Sequence, residues 1–284
     1  MYEKTENILK MARESNTSVI AFVCMDYIMA RSVVYAAKAT NTPAIVMLYP
    51  EHVTVQKTTG IAGYATMVKE LANEVNVPIG LHADHDFSYH AIMTAIAAGF
   101  ESVMIDGSMN DLDINIEITK KVVRKAHELG VYVEGEIGRV GLAADADNTN
   151  EDSYTKADAA EKFCRETGVD SLAVSIGNAH GEYMQTPYLD IERLKDIHAA
   201  TDVPLVLHGG SGIPDDQLLV AFSNGINKFN LGTEFLGKYY EATAAFSLEN
   251  ANNPDPVKII NLPGFVQSRL QPYLEERMKK LCHF

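Results

Sequence analysis

The sequence predicts an α/β fold, a closed (β/α)8 barrel of the TIM type with extra C-terminal helices, and three observations carry that reading. Short β-branched runs occur eight times, amphipathic stretches separate them, and 284 residues exceed the roughly 250 that one such barrel needs. The runs are Ser18 to Met25, Ala44 to Tyr49, Ile79 to Asp84, Ser102 to Gly107, Tyr132 to Gly138, Ser171 to Gly177, Leu205 to Gly210 and Lys228 to Thr233. An open doubly wound sheet is the competing arrangement, but it would usually carry a dinucleotide fingerprint, and none is present. The whole chain, 1–284, reads as a single domain.

Several runs are entered through a glycine that ends a helix: Gly99, Gly130, Gly168 and Gly225. Such a glycine is expected in the left-handed cap conformation. The stretches between runs repeat at helical spacing. Ile114, Ile118, Val122, Ala126 and Leu129 form one expected sheet-covering face, Val68, Leu71, Ala72 and Val75 a second, and Leu218, Ala221 and Phe222 a third. Pro214 suits the first turn of a helix. From Phe235 onward the chain is longer than one closing helix requires, and Tyr239, Tyr240, Phe246, Phe265 and Tyr273 predict further helices packed on the barrel or on another subunit.

Composition narrows the function classes. Apolar residues make up 46% and charged residues 22%, near the averages for globular proteins, with no apolar run of membrane-spanning length. The N-terminus lacks the pattern of a secretory signal, so a cytoplasmic protein is expected. A net charge of −14 disfavours nucleic acid, which needs clustered Lys and Arg. Cys24, Cys164 and Cys282 are unclustered and odd in number, which argues against a disulfide framework or a thiolate metal site. Any metal must then be held by His and carboxylates.

In a parallel barrel, chemistry collects at the C-terminal strand ends. Those ends carry Asp84 and His85, Asp106 and Ser108, Glu134 and Glu136, Asn178 and His180, His208, and Asn230. An apolar strand has no packing reason to finish in Leu-His-Ala-Asp-His-Asp at 81 to 86, although charges also begin ordinary solvated loops. His85, His180 and His208 sit at three equivalent ends, and three imidazoles with a fourth open position make a catalytic zinc site. His52, His90, His127, His198 and His283 read as surface or loop residues. Asp84 and Glu136 are candidates for proton transfer or for orienting the imidazoles. Two glycine-rich turns, His180-Gly181 and His208-Gly209-Gly210-Ser211-Gly212, offer backbone donors for a phosphate, or are simply turns.

Six ordered motifs resemble the class II, metal-dependent fructose- and tagatose-bisphosphate aldolases over most of the chain. They are Leu-His-Ala-Asp-His at 81 to 85, Ser-Val-Met-Ile-Asp-Gly-Ser at 102 to 108, Val-Glu-Gly-Glu-Ile-Gly at 133 to 138, Ala-His-Gly-Glu-Tyr at 179 to 183, Leu-His-Gly-Gly-Ser-Gly-Ile at 207 to 213, and Lys-Phe-Asn-Leu-Gly-Thr-Glu at 228 to 234. The resemblance implies Zn²⁺ on His85, His180 and His208 with Glu136 as an alternative ligand, and leaves open a monovalent cation. It implies that Asp84 handles the proton of the C4 hydroxyl, that Asn230 contacts a metal-stabilised enediolate, and that Gly181, Gly209, Ser211 and Thr233 hold the phosphate of dihydroxyacetone phosphate. The expected activity is reversible cleavage of a ketose phosphate or bisphosphate into dihydroxyacetone phosphate and an aldehyde, by a homodimer or homotetramer.

The departures are equally specific. The family's mobile Gly-Gly-x-Glu-Asp loop supplies an acid–base glutamate, whereas this chain reads Gly141-Leu142-Ala143-Ala144-Asp145, with Ala144 at that position and Asp145, Asp147, Glu151 and Asp152 nearby. Val23, Met47 and Tyr49 replace polar residues facing the aldehyde half. Asp86 stands for a glycine, as compensation for the missing glutamate or as part of an altered pocket; Met109 stands for a histidine and Met184 for a lysine. A non-catalytic sugar-phosphate-binding relative is therefore the alternative reading, and an isomerase or epimerase on the same barrel a third.

Overall fold

In the computed structural model, which describes residues 1–57, 60–141, 143, 153–252 and 255–284, eight parallel strands close on themselves in sequence order. They are β1 (Val19–Val23), β2 (Ala44–Leu48), β3 (Ile79–Asp86), β4 (Ser102–Ile105), β5 (Tyr132–Ile137), β6 (Ser171–Val174), β7 (Leu205–Leu207) and β8 (Ile226–Leu231). β1 closes the ring against β8 with Ala21 opposite Asn230. The predicted barrel is therefore observed. Most strands stop short of their predicted ends because the residues that carry chemistry leave the ladder, and β8 starts two residues earlier, at Ile226.

The helices follow as α1 (Thr5–Glu14), α2 (Tyr27–Thr40), α3 (Pro50–Gln56), α4 (Ile61–Ala72), α5 (Tyr89–Ala97), α6 (Leu112–Glu128), α7 (Ala157–Thr167), α8 (Ile191–Ala200), α9 (Asp215–Phe222), α10 (Thr233–Asn250) and α11 (Leu262–Leu281). Local sequence explains their starts. Asp26, Ser88 and Asp190 accept hydrogen bonds from the Met29, Ala91 and Arg193 N–H groups, capping α2, α5 and α8. Gly99, Gly130, Gly168 and Gly225 all take positive φ, as their helix-ending role requires. Pro214 lies one residue earlier than predicted, at the N-cap of α9.

α1 plugs the N-terminal mouth of the barrel. Its Ile8 and Leu9 pack with the inward-facing Val19, Ala21, Val23, Ile45, Met47 and Tyr132, each buried aliphatic side chain stabilising by roughly 1.5–3 kcal/mol. The extra C-terminal helices are present, and α11 lies on α2 and α10, with Val266, Leu270, Leu274, Met278 and Leu281 buried. Tyr240 instead faces solvent. No helix among the described residues is long and apolar enough to cross a membrane.

The expected face of α6 needs correction. Ile114 and Leu129 are exposed, and the inward side is formed by Asn115, Ile116, Thr119, Val122, Val123 and Ala126. Asn115 sets that rotation: its Nδ2 donates to the Glu136 carbonyl at 2.8 Å, and its Oδ1 accepts from Thr119 Oγ1 at 3.0 Å. Gly107 is packed against this amide so closely that a Cβ would lie 2.2 Å from Asn115 Oδ1.

A register shift between β3 and β4 prepares the functional end. Ala83 pairs with Val103 but Asp86 pairs with Ile105, so three steps on one strand face two on the other. Ile79, Leu81 and Ala83 belong to the apolar layer under the helices, which sends His82 and Asp84 to the barrel interior. Regular alternation would send His85 outward; the extra residue turns it back.

Candidate active site

The bulge lets two consecutive residues, Asp84 and His85, serve one site. His85 Nε2 lies 2.9 Å from His208 Nδ1, and the rings of His85, His180 and His208 stand edge to face with centroids 4.7–5.7 Å apart. One nitrogen from each lies within 4.8 Å of the others. The convergence expected from the strand ends is thus present.

The second nitrogen of every imidazole is engaged. His85 Nδ1 is 3.0 Å from Asp106 Oδ2, His180 Nδ1 is 3.1 Å from the Val140 carbonyl, and His208 Nε2 is 2.9 Å from Glu134 Oε1. Each partner is an acceptor, so each outer nitrogen donates a proton and the inner nitrogen is the one turned to the centre, the usual arrangement behind a metal-ligating histidine. Glu136, wholly buried, has one oxygen with no partner, 3.9 Å from His208 Nδ1. His85, Asp106 and Glu136 form a second, overlapping set of donor atoms within the same distance limit. The donors therefore fit a divalent cation bound by nitrogen and oxygen.

The electrostatics agree with that fit. Burial opposes charge on His85, yet Asp84, Asp106 and Glu136 around it raise its pKa to about 10. His180 goes the other way, to about 3, through burial and then its two imidazole neighbours. Burial, with Asp106 adding to it, pushes Glu136 well above the usual carboxylate range. Asp84 is also buried, but its charged surroundings, His85 foremost, hold it below its ordinary value. Asp84 and Asp106, both held below their ordinary pKa beside the imidazoles, create a demand for positive charge.

Asp84 Oδ1 accepts a long bond from Asn230 Nδ2 at 3.4 Å, and that amide also approaches His208 Nε2 at 3.2 Å. Both predicted catalytic residues thus adjoin the imidazole cluster. Beside it, a cleft of about 610 Å³ is lined by Gly181, Ser211 and Thr233, together with Tyr183, Glu234 and Lys238. Thr233 opens α10 after Gly232, and in its first turn the Glu234 N–H donates to Ser211 Oγ at 3.0 Å, which joins the glycine-rich turn to the helix start. Gly209 does not line this cleft; at φ +61° it packs under Ala179, where a Cβ would lie 2.0 Å from the Ala179 carbonyl oxygen. Tyr183 ties the two glycine loops together, its hydroxyl donating to the Gly209 carbonyl at 2.9 Å and accepting from the Ala179 N–H at 2.6 Å.

The positions that depart from the family pattern fall into different places. Val23 and Met47 are buried in the barrel interior. Tyr49 donates to Glu51 at 2.8 Å and stacks edge-on to His52. His52 is half-buried rather than a plain surface residue, and its Nδ1 has no partner. Asp86 accepts the Phe87 N–H at 2.9 Å, so it closes the turn after β3. Met109 and Met184 are exposed. Leu142, Ala144, Asp145, Asp147, Glu151 and Asp152 lie outside the described residues; Gly141 and Ala143 pair with His180 through its N–H and carbonyl at 2.8 and 2.7 Å.

Below the imidazoles the barrel interior is polar. Lys228 is fully buried and its Nζ lies 2.8 Å from Glu134 Oε2. Burial opposes ionisation of Glu134, yet Lys228 and the bond from His208 hold it well below the usual carboxylate range. His82 faces the same layer, bonded to Ser102 Oγ at 2.7 Å and driven to about 3 by burial and then by Lys228. Sequence reasoning gave Lys228 no role; the available signal was its two-residue spacing from Asn230, which puts both on the inner face of β8.

With this geometry in view, the family described as class-II fructose-bisphosphate aldolase matches residues 3–283. A fructose-bisphosphate aldolase of Geobacillus stearothermophilus is 39% identical over 207 residues, 72% of each chain. The crystal structure of the YdjI aldolase from Escherichia coli K12 superposes with a TM-score of 0.86 at 32% identity, covering 99% of this chain and 98% of that one. Fructose-bisphosphate aldolase from Campylobacter jejuni, at 22% identity and a TM-score of 0.82, covers 99% of this chain and 95% of that one and shares the fold.

Proposed function

Since the chain belongs to the class-II fructose-bisphosphate aldolase family, we propose that it is a zinc-dependent aldolase that reversibly cleaves a ketose phosphate or bisphosphate into dihydroxyacetone phosphate and an aldehyde. The observation that carries this reading is the trio of inward-facing imidazole nitrogens within 4.8 Å, each backed by an acceptor on its other nitrogen. His85, His180 and His208 would hold Zn²⁺, with Glu136 as the alternative ligand. When bound, the metal supplies Lewis-acid polarisation of the ketose carbonyl.

The chain's own residues do the rest. Ser211 and Thr233, with the backbone of Gly181, hold the phosphate with N–H and O–H donors beside the start of α10, while Gly209, which lies outside the cleft, shapes the turn that presents Ser211. Asp84, kept ionised, takes the C4 hydroxyl proton as the C3–C4 bond breaks and the aldehyde leaves. Asn230, bonded to Asp84, aligns that carboxylate and directs its amide toward the three-carbon fragment. The donor that returns a proton to C3 is expected among Asp145, Asp147, Glu151 and Asp152. The change of polar family residues to Val23 and Met47 supports a partner other than the usual triose phosphate, with Met47 itself fully buried in the barrel. A cytoplasmic homodimer or homotetramer is the expected working form.

Four measurements test this. Cleavage should stop in excess chelator and return with Zn²⁺, and His208→Ala should abolish it; an undiminished rate in chelator sinks the zinc role. The C3 proton of dihydroxyacetone phosphate should exchange in heavy water, and its absence would favour the non-catalytic binder. Detection of an aldehyde product separates the aldolase from an isomerase or epimerase. High efficiency on fructose bisphosphate would remove the case for an unusual aldehyde.

A further inference from the structure

The buried Lys228–Glu134 pair is not required to fill the barrel. The same interior is apolar where Met104, Ala173 and Val206 meet, and a buried ion pair can often be replaced by well-packed apolar side chains without loss of stability. What distinguishes this pair is its position directly behind a proposed metal ligand.

His208 Nε2 faces two groups with opposite demands. Asn230 Nδ2, 3.2 Å away, can only donate, and would favour a lone pair on Nε2 with the proton on Nδ1. Glu134 Oε1, 2.9 Å away, can accept, and favours the proton on Nε2 with the lone pair on Nδ1. Nδ1 is the atom that faces His85 Nε2 at 2.9 Å. The outcome depends on Glu134 remaining an acceptor. A carboxylate not anchored through its other oxygen could turn away from Nε2 and leave Asn230 as the sole partner of that nitrogen. Lys228 Nζ, 2.8 Å from Glu134 Oε2, supplies the only cation at hydrogen-bonding distance from that carboxylate among the described residues, and Ser171 Oγ reaches the same oxygen at 3.4 Å.

We infer that Lys228 is a positioning residue for the metal centre: through Glu134 it fixes the tautomer of His208 and keeps Nδ1 free to bind the cation. The inference rests on the proposed metal role of His208. Lys228 touches neither substrate nor metal in this scheme, and acts only through the carboxylate and the imidazole.

Zinc affinity, measured by competition with a chromophoric chelator on folded protein, gives the test. Lys228→Met should weaken it by roughly 10–100-fold, the range typical of groups that orient a ligand. The double variant Glu134→Gln/Lys228→Met should regain affinity to within about threefold of wild type, because a glutamine carbonyl can accept the Nε2–H and a neutral amide needs no buried cation to hold it there. A merely structural role predicts lower melting temperatures with unchanged zinc affinity in both variants, and that result overturns the inference. If Lys228→Met does not fold, the double variant and the ¹⁵N-histidine spectrum of wild type decide. His208 should carry its proton on Nε2, and a proton on Nδ1 overturns the inference. A wild type that takes up no zinc removes the metal reading, and the tautomer spectrum then judges this inference alone.

Discussion

Replacing Asp84 by Ala should separate bond cleavage from the preceding binding steps. Asp84 is only 6% exposed, adjoins His85 in sequence, and meets Asn230 Nδ2 at 3.4 Å. A positioned general base contributes roughly 10²–10⁴-fold. Its depressed pKa makes it a weak base that depends on placement, so the middle of that range is expected, about 10³-fold or about 4 kcal/mol at the transition state. The loss should fall on cleavage, where the C4 hydroxyl proton moves. Exchange of the C3 proton of dihydroxyacetone phosphate does not involve C4 and should persist within about tenfold. Coupled detection of dihydroxyacetone phosphate gives the first rate and proton NMR in heavy water the second, with zinc content checked in parallel. Equal losses in both reactions, or cleavage within tenfold of wild type, would refute the role assigned to Asp84.

Other outcomes follow from packing and charge. Gly209→Ala forces a Cβ to within 2.0 Å of the Ala179 carbonyl at a φ of +61°, and should cost about 2–4 kcal/mol; urea denaturation within about 0.5 kcal/mol of wild type would contradict that packing. Asn115→Ala strips the Glu136 carbonyl of a buried donor and should destabilise by about 1–3 kcal/mol, read from the same titration. Asp215 pairs with Arg277 at 2.6 Å and with Lys280, joining α9 to α11. Burial works against its charge, but the two cations hold its pKa below the ordinary value. Its contribution is thus present above the unfolded value near 3.9 and is lost as pH falls through the folded one. Asp215→Asn should cost about 1 kcal/mol at neutral pH, a difference that shrinks below about pH 4; a gap that stays constant with pH counts against the pair.

The barrel and most of its site were legible because parallel strands advertise themselves. Eight apolar runs give the topology, and those that end in His or Asp, which packing does not explain, mark the end where chemistry collects. Three features were hidden for physical reasons. Lys228 and Glu134 sit inside β-runs, where only inward parity marks them as partners across the barrel, and nothing local says which strand faces which. The bulge that turns His85 inward is a property of two strands, not of one sequence. The face of α6 follows a polar demand, the Asn115 amide under Gly107, which apolar periodicity does not register. Asp86, at the position of a family glycine, accepts the N–H of the next residue through one carboxylate oxygen, a local contact that no motif announces.

The bulge in β3 gives the chain an unusual fault line. With Ala83 opposite Val103 and Asp86 opposite Ile105, one residue of strand length separates a working site from a blank one. A deletion there would leave the hydrophobic layers of a barrel available to pair, while turning an imidazole toward the helices and dissolving the trio. Catalyst and inert scaffold are therefore close neighbours in sequence space, a single codon apart in length. Any graft of this strand into another barrel must carry the irregularity across along with the side chains.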